Sequence, residues 1–288
     1  MFAAREATVN DTIIMDLRLP RVLIGMLVGA CLAVAGALLQ GVMKNPLADP
    51  GIIGVTAGGG LAASITMVAL PQLSFLLPVS AFLRAFITAL LIYFLAWDKG
   101  ASPLKIILAG VAINSLWGAV QNGIMVTFSD RVQAVLPWLS GGLSGRSWYH
   151  LEFMAPYAIA GLVLSLFAIK PANILLLGDA PAKLLGQHVE AQRLLIILLA
   201  AFLAGAAVSV SGLIGFVGLV VPHMIRLLMG DDYRYLIPFS ALGGATLVVL
   251  ADTIARSWFD PIELPVGILL AVVGAPFFLI LLKKRSLI

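Results

Sequence analysis

Few residues in this chain could do chemistry, and the most suggestive of them are arginines. Arg18-Leu19-Pro20-Arg21 precedes a long apolar run, and Arg256 follows another. Guanidinium forks so placed either reach lipid headgroups or grip carboxylates on a soluble partner. Gly142-Leu143-Ser144-Gly145 frames a serine as intramembrane serine proteases do, and such a serine needs a histidine within hydrogen-bond reach. The three histidines, His150, His188 and His223, fall in separate regions, and a structural or capping role is their plainer reading. There is no HExxH and no Cys/His cluster at metal-ligand spacing, and Cys31 is the sole cysteine. No GxxxxGK[ST] loop is present to cradle nucleotide phosphates.

The elements that hold these residues are set by composition. Of 288 residues, 61% are hydrophobic and 11% charged, against roughly 25% charge in soluble domains. Mean hydropathy is +1.07. Nine apolar runs cover nearly the whole length: 22–42, 51–70, 75–97, 104–128, 150–169, 194–211, 214–229, 236–255 and 264–282. A helix needs about 20 apolar residues to cross a bilayer, so the fold expected is all-α and polytopic, with nine visible transmembrane helices in one domain, 1–288. Alternating ten-residue strands, as a barrel requires, are missing. The stretch SVSGLIGFVGLVVPH around Gly212 is ambiguous between a tight turn, a broken helix and a half-helix. No apolar leader precedes the first run.

The pI of about 9.4 does not imply nucleic acid, because the basic residues are scattered singly along loop positions. Eleven fall in one set of loops: Lys44, Lys99, Lys105, Lys170, Lys183, Arg193, Arg226, Arg234, Lys283, Lys284 and Arg285. Six, Arg5, Arg18, Arg21, Arg131, Arg146 and Arg256, fall in the other, and Arg84 lies within a span. The positive-inside rule assigns the eleven, and the C-terminus, to the cytoplasm. Ser144 then lies outside while His223 lies near the inner face, a bilayer of about 30 Å away, so no catalytic pair forms.

Gly25, Gly29, Ala33, Ala37 and Gly41 recur every four residues, which lets helix backbones approach closely in lipid. Gly58-Gly59-Gly60 reads the same way. On the cytoplasmic side, Lys44-Asn45-Pro46-Leu47-Ala48-Asp49-Pro50 forms a stiff polar elbow, either a connector or the cap of a pathway. The longest cytoplasmic segment, 170–193, carries a Gly178-Asp179 turn and a short amphipathic stretch, a natural contact for an ATPase that this chain lacks.

These motifs together resemble the FecCD-type permease subunits of iron-siderophore, haem and cobalamin ABC importers. The resemblance is carried by RLPR at 18–21, VGACLAVAGALLQGVMKNPLADPGIIGV at 28–55, LAG at 108–110 and LGDAPAKLLG at 177–186. It continues through SGLIGFVGLVVPHMIR at 211–226 and ADTIAR…ELPVGILLAVVGAPFFLILL at 251–282. It implies a second permease copy, two cytoplasmic ATPases, an external binding protein, no cofactor bound directly, and a bacterial inner membrane. By this resemblance Arg18, Arg21 and Arg256 meet acidic residues of the binding protein. Asn45, Pro46 and Leu47 narrow the cytoplasmic exit. Segment 170–193 packs on the ATPase, with contacts at Gly178, Asp179, Ala182 and Leu185. The helix at 104–128 lines the pathway, offering Asn114, Ser115, Gln121 and Asn122. The cargo and the choice between homodimer and heterodimer stay open.

Two features depart from the family pattern. Family members have ten spans, the first upstream of RLPR. Here 17 residues precede that motif and resemble the external linker (1–21), so the expectation is a start codon placed too far downstream or a truncated chain. Arg84 stands where the family has a small or apolar residue. It either snorkels outward or lines an aqueous path and touches an anionic chelate.

Overall fold

A computed structural model describes residues 9–98, 100, 102–258 and 263–285. Arg5, Lys99, the first eight residues of the 1–21 segment, and the side chains of Lys284 and Arg285 lie outside the described residues. All of the regular structure among the described residues is helical, without strands. The helices are α1 (Leu19–Val42), α2 (Val55–Ala63), α3 (Leu77–Leu95), α4 (Pro103–Thr127), α5 (Val132–Leu139) and α6 (Trp148–Phe167). They continue as α7 (Ile169–Leu176), α8 (Asp179–Leu184), α9 (Val189–Ser211), α10 (Val217–Met229), α11 (Tyr233–Ser257) and α12 (Val266–Arg285). A π-helical turn, Ile13–Arg18, leads into α1, and another, Ser64–Ala69, extends α2.

Each of the nine apolar runs forms a helix. Six helices among the described residues are long and apolar enough to cross a membrane, and three apolar helices are shorter. The ambiguous stretch resolves as a half-helix. α9 stops at Ser211, residues 212–216 are irregular, and α10 has 13 residues. At 1.5 Å per residue that is about 20 Å, too short for a core of about 30 Å. Gly212 (φ 69°) and Phe216 (φ 68°) occupy the left-handed region that lets the chain unwind. Irregular backbone at membrane depth must find partners inside the protein. Here Leu213 N–H donates to the Trp138 carbonyl (3.4 Å), Gly142 N–H to Ser211 (2.8 Å) and Gly267 N–H to Gly141 (2.9 Å).

α1 is the axis of the bundle. It packs against α11, α9, α10 and α6, and 78% of its most apolar window is buried. Water does not drive helices together in lipid, so contact depends on how closely backbones can approach. A β-carbon on Gly29 would overlap the Gly244 carbonyl of α11, and one on Gly36 would overlap Gly218 of α10. Gly41 leaves room for the Tyr233 hydroxyl. The glycine triad of α2 serves three neighbours. Gly58 faces Thr88 and the Arg84 carbonyl of α3, Gly59 faces Val208 of α9, and Gly60 faces Gln121 of α4. Buried hydroxyls return to their own helices, as in Ser64 to Gly60 (3.0 Å) and Thr66 to Ala62 (2.8 Å).

Gly29→Leu should force α1 and α11 apart and cost about 3 kcal/mol or more, at the upper end for overpacking. The readout is loss of monodisperse, thermally stable protein in detergent. Gly123→Ala, where nothing lies within 4 Å of the added carbon, should leave stability unchanged.

Candidate functional site

The two ends of the bundle carry the charged residues. At one end, the first turn of α1 presents Arg21 to α11. Its Nε donates to Asp252 Oδ2 (2.8 Å), Nη2 to Asp252 Oδ1 (2.9 Å) and Nη1 to Glu263 Oε2 (3.0 Å). The Arg21 and Asp252 side chains are only 11% and 8% exposed. Arg21, expected to offer itself to an external partner, has its fork occupied inside the chain. Arg18 is exposed and Arg256 half-buried, and neither has an ion pair among the described residues. Glu263 is held below the usual carboxylate range by a hydrogen bond from Ser144, with Arg21 and Arg256 adding to the pull. Ser144 therefore serves a carboxylate, and the nearby His150 meets Ser147 (3.1 Å) in the cap of α6. No nucleophile–base pair forms there among the described residues.

At the other end lies the elbow. Lys44 adopts φ 49°, and Asn45 Oδ1 accepts the Leu47 N–H (3.0 Å), fixing the turn that Pro46 stiffens. Lys44 Nζ reaches Asp179 Oδ1 (2.8 Å) at the start of α8. The other oxygen of Asp179 accepts from Arg193 Nη2 (2.8 Å), whose side chain is 3% exposed and also pairs with Glu190 (3.0 Å). A cavity of about 410 Å³ opens beside the elbow, lined by Gln40, Lys44, Asn45, Pro46, Leu176, Arg226 and Asp231. Segment 170–193 is more ordered than a loop, since it comprises α7, α8 and the start of α9. Gly178 takes φ 107° at the N-cap of α8. Ala182, expected as a contact for the ATPase, is fully buried, whereas Leu184 (89%) and Leu185 (59%) are exposed.

The residues expected along the pathway helix α4 divide. Ser115 and Asn122 are exposed. Asn114 instead donates to the Gly51 carbonyl (2.9 Å), and Gln121 turns toward Gly60 of α2. Both are half-buried. Arg84 does not reach out to solvent alone. Its guanidinium lies over the Trp117 ring of α4, 4.6 Å from the centroid. Such a cation–π contact contributes about 0.5–2 kcal/mol, against roughly 2.5–3.5 kcal/mol for a mid-bilayer arginine.

Sequence reasoning missed the acidic partners Asp252 and Glu263, the Lys44–Asp179–Arg193 chain and the exposed Leu184. It also missed Arg226, which braces the half-helix through Asp231 (2.8 Å), Tyr233 (3.1 Å) and Gln40 (3.4 Å). The leucine pair in a polar segment was the one signal available in the sequence. Arg21→Ala should destabilise the protein by about 3–5 kcal/mol, since it strands the buried Asp252 carboxylate. Arg21→Met with Asp252→Leu should recover most of that loss in thermal unfolding.

The chain matches the FecCD transport family over residues 1–284. It is 43% identical over 279 residues to the Fe(3+)-citrate import system permease protein YfmD of Bacillus subtilis, covering 97% of this chain and 84% of the relative. It is 41% identical over 281 residues to the hemin transport system permease protein HmuU of Yersinia pestis, covering 94% and 84%. An inward-facing structure described as a metal-chelate type ABC transporter superposes with a TM-score of 0.90 at 33% identity, covering 98% of this chain and 91% of that one. A multipass helical bundle with these motifs in order, end to end, belongs to the FecCD transport family as a permease subunit of an ABC importer for metal chelates.

Proposed function

We propose that this subunit pairs with a second permease copy, accepts a loaded binding protein at its Arg18/Arg256 end, and is driven by cytoplasmic ATPases at the Asp179 end. The Arg18/Arg256 end then faces outward and the C-terminus lies in the cytoplasm. One observation carries the reading: Asp179 ties the elbow to the segment that bears the exposed leucines. Force applied to α8 by a partner moves Asp179, and Asp179 is bonded to Lys44 of the elbow. The elbow residues Asn45, Pro46 and Leu47 then narrow or open the exit. Leu185 and Leu184 supply the apolar contact for the ATPase, with Gly178 as the pivot before α8.

α4 supports the paired arrangement. Only 17% of its most apolar window is buried, and Leu108, Val111, Leu116, Val120 and Val126 are exposed. A helix so bare lies against a second copy, lipid or a central pathway, with Ser115 and Asn122 on offer to cargo. Hydrolysis belongs to the partner subunits, and ATP acts on this chain only through them.

Reversing charge in Arg18→Glu with Arg256→Glu should weaken binding-protein docking to the reconstituted importer about tenfold or more, or about 1.4 kcal/mol. Unchanged affinity rejects the docking assignment. The inner tie has a pH signature. Burial pushes the Asp179 carboxyl up, but hydrogen bonds from Lys44 and Arg193 outweigh it and hold the group below the usual range. A depressed folded value keeps the tie whole above the unfolded value of about 3.9 and releases it only as pH falls through the lower folded value. Hydrogen-exchange protection of Leu47 and Ala48 should therefore hold from pH 8 to about 5. Asp179→Asn should lower it throughout, and loss between pH 7 and 5 in the wild type would sink the assignment.

A further inference from the structure

A groove of about 450 Å³ opens on the side of the bundle between α3, α6, α7 and α9. Its walls include Phe86 of α3, Leu164 and Phe167 of α6, and Leu195 and Phe202 of α9, and every lining residue except Gln192 is apolar. Gln192 stands in the first turn of α9, at the Asp179 end, where its Nε2 donates to Gln187 Oε1 (2.6 Å). At the opposite end of the groove, Phe202 and Phe86 both pack on the Phe82 ring, with centroids 5.5 and 6.3 Å apart. From Gln192 to Phe202 the helix rises about 15 Å, which is half of a hydrocarbon core of about 30 Å.

The groove is therefore one leaflet long, polar at one end and apolar along the rest, which is the profile of an acyl chain below its headgroup. A helix of a second copy is 10–12 Å across and would need about 1,200 Å³ over the same length, so it does not enter. Lys170 directly precedes Pro171, which lines the groove, and is exposed with no ion pair among the described residues. Its flexible stem carries a point charge suited to a phosphate. We propose that the groove binds one anionic phospholipid of the cytoplasmic leaflet, with an acyl chain between α6 and α9 and the phosphate at Lys170. Anionic lipids concentrate in that leaflet. The choice of leaflet rests on the orientation proposed above, whereas the binding does not. Pro171, Gln187 and Gln192 all belong to the segment 170–193, so the lipid braces the stretch that carries Asp179 and the exposed leucines.

The test uses the full chain in detergent, supplied with phosphatidylglycerol and phosphatidylcholine of matched acyl chains, and native mass spectrometry counts the lipid retained. Wild type should keep one phosphatidylglycerol in preference to phosphatidylcholine. Lys170→Gln should cut that preference about fivefold, and Lys170→Arg should preserve it. Leu199→Trp and Leu195→Trp, which fill the groove, should lose the retained lipid, whereas Leu242→Trp on the exposed face of α11 should not. Leu195 is exposed, so its variant carries the test if Leu199→Trp fails to fold. Retention that ignores the headgroup, or that survives both groove-filling changes, overturns the site. Loss of permease pairing in Leu195→Trp with lipid retention unchanged would make the groove a subunit contact and overturn it equally. Retention is read without binding protein or ATPase. Unchanged docking in Arg18→Glu with Arg256→Glu would therefore count against the import reading and not against the lipid site.

Discussion

Close approach of backbones around α1 is the constraint on which the rest of the molecule depends. Lipid offers no hydrophobic reward for burying one helix against another, so van der Waals contact must supply the attraction. Gly29 against Gly244 and Gly36 against Gly218 bring α11 and the half-helix α10 up to α1 on separate faces. α11 delivers Asp252 to Arg21, and α10 delivers Arg226 to Gln40 and Tyr233. The Arg21 clamp and the Arg226 contacts follow from which helices those glycines admit.

The same medium governs the charges. A carboxylate or guanidinium near the hydrocarbon is tolerated when a partner of opposite sign meets it with good geometry. Arg21, Arg193 and Arg226 are the most enclosed arginines with ion pairs, and each one meets an acidic group. Arg84 is accommodated differently, over the face of Trp117, and keeps its charge. Arg146 departs from this pattern: its Nε, like the indole Nε1 of Trp138, is buried and has no acceptor among the described residues.

The two ends differ in build. The Arg21 end is a clamp: three donors of one guanidinium fasten α1, α11 and the approach to α12. The Asp179 end is a chain of exposed and buried pairs, in which Lys44 and Asp179 are each about 40% exposed while Arg193 is sealed. Exposed pairs contribute little to stability, about 0–1 kcal/mol, and so can separate and reform as parts move.

The placement of the nine apolar helices was legible in the sequence, because the length a bilayer demands leaves a direct trace in hydropathy. The glycine stripe on α1 and the turn chemistry of the elbow were legible too, since both arise from local spacing. Residue type identified Arg18, Arg21 and Arg256 as notable but could not separate them. Arg21 finds Asp252 across 231 positions of sequence, and no local pattern encodes such a meeting. The half-helix at Val217–Met229 was one of three open alternatives, because its irregular entry is satisfied by backbone from segments far along the chain. Asn114 and Ala182 turned inward for the same reason: side-chain direction on a helix is fixed by which neighbours pack there. One-dimensional periodicity records how often a residue faces one side, whereas tertiary packing alone decides what stands opposite.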